Sequence, residues 1–173
     1  MDVSEAVRLI EKASIGKNKP TTWVDLGCGN GVFTRALAEI LPVQGTIYAI
    51  DKDSQTIDKA SRDADIRFVR ADFEKAKLAL PPLDGILMAN SLHYVADKKA
   101  LLLRLQRLFR DEGKYIIVEY DTKKSNRWVP YPIPFDSLKS LFLDLGFSTI
   151  EKLAVKRSIY GQGTLYTCFI SQD

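Results

Sequence analysis

Histidine occurs once and cysteine twice in this chain of 173 residues. Cys28 and Cys168 lie far apart, and neither they nor His93 form a C-x-x-C or Cys/His grouping, so no zinc signature is present and no metal is expected. So few cysteines suit a reducing compartment. No apolar run reaches the roughly 18 residues that a membrane span needs. Met1-Asp2-Val3-Ser4-Glu5-Ala6 is acidic where a secretory leader would be basic. The expected location is therefore cytoplasmic. An excess of one charge is missing too: 25 Lys and Arg stand against 22 Asp and Glu, a net +3. That is too little to argue for nucleic acid as a partner. The densest basic cluster, Lys123-Lys124-Ser125-Asn126-Arg127, reads as a solvated loop.

What remains is ordinary for a soluble globular chain, with 46% apolar and 27% charged residues. The length suits one domain over residues 1–173, with 1–20 as a short helical cap. Residues 4–13 have a helical stripe, and Gly16-Lys17-Asn18-Lys19-Pro20 ends it. Apolar strands are expected near 23–26, 45–51, 66–70, 83–90 and 115–120. Helices are expected at 32–40, at 54–64 with Ser54 as N-cap, and at 97–109 with Leu101, Leu102, Leu105 and Leu108 as the buried stripe. A last helix over 136–145 has Gly146 as its stop. Strands near 147–155 and 164–170 flank a Gly161-Gln162-Gly163 turn. Strands alternating with helices give an α/β fold: a doubly wound, mostly parallel seven-stranded sheet, helices on both faces, closed by an antiparallel hairpin.

In such a sheet ligands bind beyond the carboxyl ends of the strands. After the first strand comes Asp25-Leu26-Gly27-Cys28-Gly29-Asn30-Gly31. Alternate glycines permit a sharp turn and close approach to a ligand. A dinucleotide turn reads G-x-G-x-x-G, but here the third glycine comes one residue early and Val32 holds its place. Asp25 would also repel a pyrophosphate and suits an amine better. Asp51 ends the second strand, where a carboxylate can accept from ribose hydroxyls; it also reads as a helix cap. Ala71-Asp72-Phe73 follows the third strand, and Asp72 reads either as an adenine acceptor or as a turn cap.

The D-L-G-C-G-N-G run resembles the first motif of the class I S-adenosylmethionine-dependent methyltransferases. A-I-D at 49–51, A-D-F at 71–73 and A-N-S-L-H-Y at 89–94 follow in that family's order. The resemblance extends from about Thr21 to the C-terminus. It implies the Rossmann-like methyltransferase fold and bound S-adenosylmethionine. Asp25, Gly27 and Gly29 would lie at its methionine portion, Asp51 at the ribose, and Asp72 with Phe73 at the adenine. Cys28, Lys52, Asn90 and Ser91 complete the implied cofactor contacts.

The expected activity is methyl transfer to an oxygen, nitrogen or carbon of a small molecule. Its N-P-P-Y-type position is Asn90-Ser91-Leu92-His93, which argues against amino groups of DNA or glutamine. His93 is the candidate general base, being the side chain that titrates near neutrality; packing or a backbone bond is its alternative role. Tyr94 has the same two readings. Tyr120, Asp121, Trp128 and Tyr131, with Phe135, are candidates to wall an acceptor pocket; the alternative is a stiff connector, since prolines restrict that loop. With only about 20 residues before the first strand, the pocket is open or is completed by a second subunit or another protein. Rival readings are a cofactor-binding module that acts only with a partner, and an NAD-dependent oxidoreductase.

Overall fold

The computed structural model describes residues 1–16, 19–42, 45–57, 64–157 and 163–172. Along the chain run α1 (Val3–Ile10), β1 (Thr22–Leu26), α2 (Val32–Ile40), β2 (Thr46–Asp51), β3 (Asp65–Arg70) and β4 (Gly85–Ala89). A 3-10 turn at Leu92–Tyr94 leads to α3 (Lys98–Gln106), β5 (Lys114–Tyr120), α4 (Phe135–Asp144), β6 (Thr149–Arg157) and β7 (Thr164–Ser171). The strands form one seven-stranded sheet in the order β3-β2-β1-β4-β5-β7-β6. β1 to β5 run parallel, and β7 is antiparallel to both its neighbours.

Successive residues of a strand face opposite sides, and the core divides accordingly. Val24, Leu26, Ile86, Met88 and Ile117 pack with Leu101, Leu102 and Leu105 of α3 and Leu138 and Phe142 of α4. Trp23, Ile47, Leu87, Ile116 and Val118 pack with Leu9 and Ile10 of α1 and Leu37 of α2. Strands buried on both faces need apolar residues throughout, which is why β4 reads Gly-Ile-Leu-Met-Ala. β3, at the sheet edge, alternates between exposed and partly buried residues, as its mixed sequence requires.

The expected elements lie within a few residues of the observed ones. α1 stops at Ile10, where the chain tightens as the Ala13 amide donates to the Ile10 carbonyl. α3 begins after Asp97, whose side chain accepts from the Ala100 amide at 2.9 Å. Leu108 lies past its end, partly buried. The expected helix over 54–64 is not seen at 54–57, Ser54 included, and 58–63 lie outside the described residues. So do Gly161 and Gln162 of the hairpin turn.

α4 ends in a Schellman arrangement. Gly146, at φ +87°, donates to the Leu143 carbonyl, and the Phe147 amide reaches back to the Phe142 carbonyl, each at 3.0 Å. The Phe142 and Phe147 rings seal it edge to face, 5.3 Å apart. Gly85 answers a different need: it pairs with Trp23, whose ring covers it, and a Cβ there would lie 2.4 Å from the indole. In urea unfolding, Gly146→Ala should lower stability by about 1–2 kcal/mol, from left-handed backbone strain alone. Gly85→Ala should lower it by about 3 kcal/mol, because the methyl has no space beside Trp23; equal losses would contradict this division.

Candidate functional site

The turn after β1 is pinned from both neighbouring strands. The Gly27 and Cys28 amides donate to the Ile50 carbonyl at 2.8 and 3.0 Å. The Gly29 amide donates to Asp51 Oδ2 at 2.8 Å, and Ser91 Oγ donates to the Leu26 carbonyl at 2.6 Å. Gly27, Gly29 and Gly31 have φ of +79°, +49° and +76°. A Cβ on Gly27 would lie 2.6 Å from Ser91 Cβ and 3.4 Å from the Phe73 ring, so this turn packs directly on the segments after β3 and β4. A Cβ on Gly29 would meet nothing within 4 Å: that side is open.

Asp25 is buried beneath the turn, 1% exposed, and accepts from Thr34 Oγ1 of α2 at 2.6 Å. Burial pushes its carboxyl up to about 7, against the Thr34 bond and with help from nearby Asp51. Burial, with both carboxylates adding, likewise pushes the Cys28 thiol up to about 12, which leaves it neutral and a poor nucleophile. Asp51 Oδ1 accepts from the Asp53 amide at 2.9 Å, so each carboxylate oxygen takes one amide. A carboxylate has about four acceptor sites, so capacity for a ligand remains.

Asp72 Oδ1 accepts from the Glu74 amide at 3.1 Å, with Lys75 Nζ 3.6 Å from Oδ2, the turn-capping role. Phe73 is partly buried beside Gly27, and its carbonyl accepts from Arg104 at 2.6 Å. The exposed Lys52 contributes its carbonyl to Arg70 at 3.1 Å. Asn90, at the end of β4, has φ +55°, a conformation that non-glycine residues seldom adopt. Its Oδ1 is buried without a hydrogen-bond partner among the described residues.

His93 is 2% exposed. Its Nδ1 lies 2.7 Å from Glu119 Oε2, and its amide donates to Glu119 Oε1 at 3.1 Å. In the neutral ring, a carboxylate so close to Nδ1 favours the tautomer with its proton there and its lone pair on Nε2. Tyr94, expected to pack inside, is 52% exposed, although its ring lies 4.4 Å from that of His93.

A cavity of about 390 Å³ opens at this edge. Gly27 to Asn30 and Ala89 with Asn90 line one part; Val32, Phe33, Tyr120 and Leu165 supply apolar walls. Met1 and Glu5 at the start of α1, with Lys156 and Arg157 at the end of β6, complete it. Of the expected acceptor-pocket residues only Tyr120 is there. Trp128, 66% exposed, has the Arg127 guanidinium 5.7 Å above its ring. Tyr131, 48% exposed, donates its amide to the His93 carbonyl at 2.9 Å. Their loop packs inward through Val129 and Ile133, which turns both aromatics to solvent. Asp121 caps α4 by accepting the Phe135 amide at 3.0 Å, and Phe135 lies edge-on to Tyr166. Glu119, Phe33, Glu5, Lys156 and Arg157 escaped the sequence reading; only Glu119, an acid in an apolar strand, carried a visible signal. Among the described residues no His, Cys, Asp and Glu cluster could hold a metal, and no helix is long and apolar enough to cross a membrane.

Residues 17–152 match a family model described as a methyltransferase domain. An uncharacterized methyltransferase of Mycobacterium tuberculosis is 29% identical over 102 residues, 57% of this chain and 50% of that protein. A trans-aconitate 2-methyltransferase of Pseudomonas paraeruginosa is 27% identical over 154 residues, 85% of this chain and 53% of that one. The chain thus spans about half the length of these curated relatives. Among solved structures, a Burkholderia thailandensis 1,6-didemethyltoxoflavin-N1-methyltransferase, holding 1,6-didemethyltoxoflavin and S-adenosylhomocysteine, superposes with a TM-score of 0.72 at 17% identity, covering 98% of this chain and 77% of that one. An Aquifex aeolicus S-adenosylmethionine-dependent methyltransferase gives 0.64 at 16% identity over the whole of both chains.

The buried Asp25 carboxyl makes stability depend on pH. Its pKa is raised from 3.8 to about 7 on folding, so between those values the folded chain keeps a proton that the unfolded chain has lost. Its contribution therefore falls as pH rises through this window, by on the order of 4 kcal/mol. Urea unfolding at pH 4.5 and 7.5 should show Asp25→Asn gaining about 3 kcal/mol on the parent at the higher pH. An unchanged difference would contradict a protonated Asp25.

Proposed function

The chain belongs to the methyltransferase-domain family, in its class I form, and on that basis we propose that it transfers a methyl group from S-adenosylmethionine to an oxygen, nitrogen or carbon of a small molecule. The observation that carries this reading is the left-handed glycine turn opening on a cavity that Asn90 also lines with an unpartnered acceptor. The residues present fit the cofactor. Gly29 leaves room where a side chain would project, and the buried Asn90 Oδ1 lacks the N–H donor that an ammonium or amide would supply.

Gly27, Cys28, Gly29 and Asn90 hold the methionine portion, with Ser91 bracing the turn. Asp25, sealed beneath and bonded to Thr34 Oγ1, supports the turn under the methionine portion. Asp51 takes the ribose hydroxyls beside Lys52, and Asp72 with Phe73 borders the adenine. When bound, the cofactor supplies a methyl group already activated by a positively charged sulfur. The chain then has to orient an acceptor and exclude water, the work of Phe33, Tyr120 and Leu165. Where the acceptor must lose a proton, His93 takes it at Nε2, and Glu119 balances the charge on the ring.

The partner-dependent reading draws on one observation: His93 is nearly enclosed and is absent from the cavity lining. It predicts binding of S-adenosylhomocysteine without turnover by the isolated chain. The nicotinamide reading is disfavoured by Val32 and by the antiparallel β7 within the sheet, since dinucleotide-binding sheets continue parallel in the order 3-2-1-4-5-6.

Calorimetry with S-adenosylhomocysteine should give saturable binding, with NAD inert; the reverse result would overturn the reading. Asp51→Ala should weaken that binding by about 1.5–3 kcal/mol, the range for a hydrogen bond to a charged group. His93→Ala should lower methyl transfer to a metabolite panel by roughly 10²–10⁴-fold while leaving cofactor affinity intact. Equal loss of both would mark His93 as a packing residue.

A further inference from the structure

Methyl-donor binding leaves one side of the cavity unexplained. Glu5, Lys156 and Arg157 line it from the start of α1 and the end of β6. Glu5 Oε1 and Lys156 Nζ lie 2.7 Å apart, each side chain about one-third exposed at 34% and 31%, and their charges cancel. Glu5 is also committed to its own helix: Oε2 accepts from the Asp2 amide at 3.2 Å, the return arm of a capping box. Arg157 remains: it is exposed, its backbone lies opposite Thr164 in the sheet, and its side chain has no hydrogen bond or ion pair with another described residue.

The same lining holds Val32, Phe33, Tyr120 and Leu165. A mainly apolar chamber whose one guanidinium is unpaired among the described residues complements an apolar molecule bearing one anionic group. The planar fork of arginine matches a carboxylate in two parallel hydrogen bonds. We propose that Arg157 binds a carboxylate of the methyl acceptor, so that the acceptors are apolar carboxylic acids; this rests on the methyl-transfer reading above. S-adenosylmethionine also carries a carboxylate. α2 begins next to the glycine turn without a side-chain cap, and a helix N-terminus suits that group.

The test is calorimetry on the full chain saturated with S-adenosylhomocysteine, using the matched pairs benzoate and benzamide, and hexanoate and hexanamide. Each acid should bind at least about tenfold more tightly than its amide, the order expected of one charge-assisted pair. Arg157→Gln should erase that preference without changing S-adenosylhomocysteine affinity, and Arg157→Lys should keep part of it. Glu5→Gln retains the capping box and releases Lys156, so it should strengthen acid binding several-fold. Opposite shifts from the two sites are not what general structural damage would produce. Equal binding of acid and amide would overturn the subsite, as would an Arg157→Gln variant that loses S-adenosylhomocysteine affinity, which would give Arg157 to the donor's carboxylate. If the parent chain fails to bind S-adenosylhomocysteine, the methyl-transfer reading falls and the subsite with it. Binding without an acid preference overturns the subsite alone.

Discussion

β1 has no free edge, and the site depends on that. Flanked by β2 and β4, it delivers its last residue into a turn whose Gly27, Cys28 and Gly29 amides are all bonded to the neighbouring strand β2. Amides of the turn are drawn toward Ile50 and Asp51 on one side, and the Leu26 carbonyl is held by Ser91 on the other. The shape of the loop is thus a property of three strands together. Left-handed backbone at successive alternate positions would be a poor choice for a free loop, because glycine surrenders the most freedom on ordering. Bonds from both flanks offset that entropy and keep the ligand-facing surface in one form.

The segment after β4 is held by a second device. Asn90 carries the strained conformation, and the residues beyond it are tied down at Ser91 and His93. Strain of this kind persists only where the surroundings over-determine the backbone. Glu119 spends both carboxylate oxygens on one residue, the ring and the amide of His93. A carboxylate–imidazole pair this deeply enclosed adds little net stability, since desolvation opposes the attraction. Its contribution is to place the imidazole and, with it, the turn that follows β4.

Much of this was legible in the chain. Apolar strands ending in Asp25, Asp51 and Asn90 announced both the sheet and the edge where ligands gather, because period and composition are local properties. Asp72 as a turn cap was also within reach of local rules. Pairings were not: His93 and Glu119 stand 26 positions apart, Glu5 and Lys156 151 apart, and nothing near either member names the other. Trp128 and Tyr131 lie outside the cavity lining for the opposite reason. Their composition suggested a pocket wall, but which face of a proline-stiffened loop turns inward was decided by Val129 and Ile133. Asp121 shows the same limit, since its partner is the start of a helix fourteen residues on.

The sheet order also governs assembly. β6 pairs only with β7, and β7 joins the sheet by lying against β5. β6 therefore has no place to dock until a strand later in the chain has arrived, so the sheet cannot grow in the order of synthesis. Closure of such long loops comes late in folding, when enough structure exists to repay the lost chain freedom. Because Lys156 and Arg157 sit on β6, the cationic side of the cavity is completed after the glycine turn that faces it. A folding chain should therefore complete the parallel half of the sheet, glycine turn included, before the wall that carries Lys156 and Arg157.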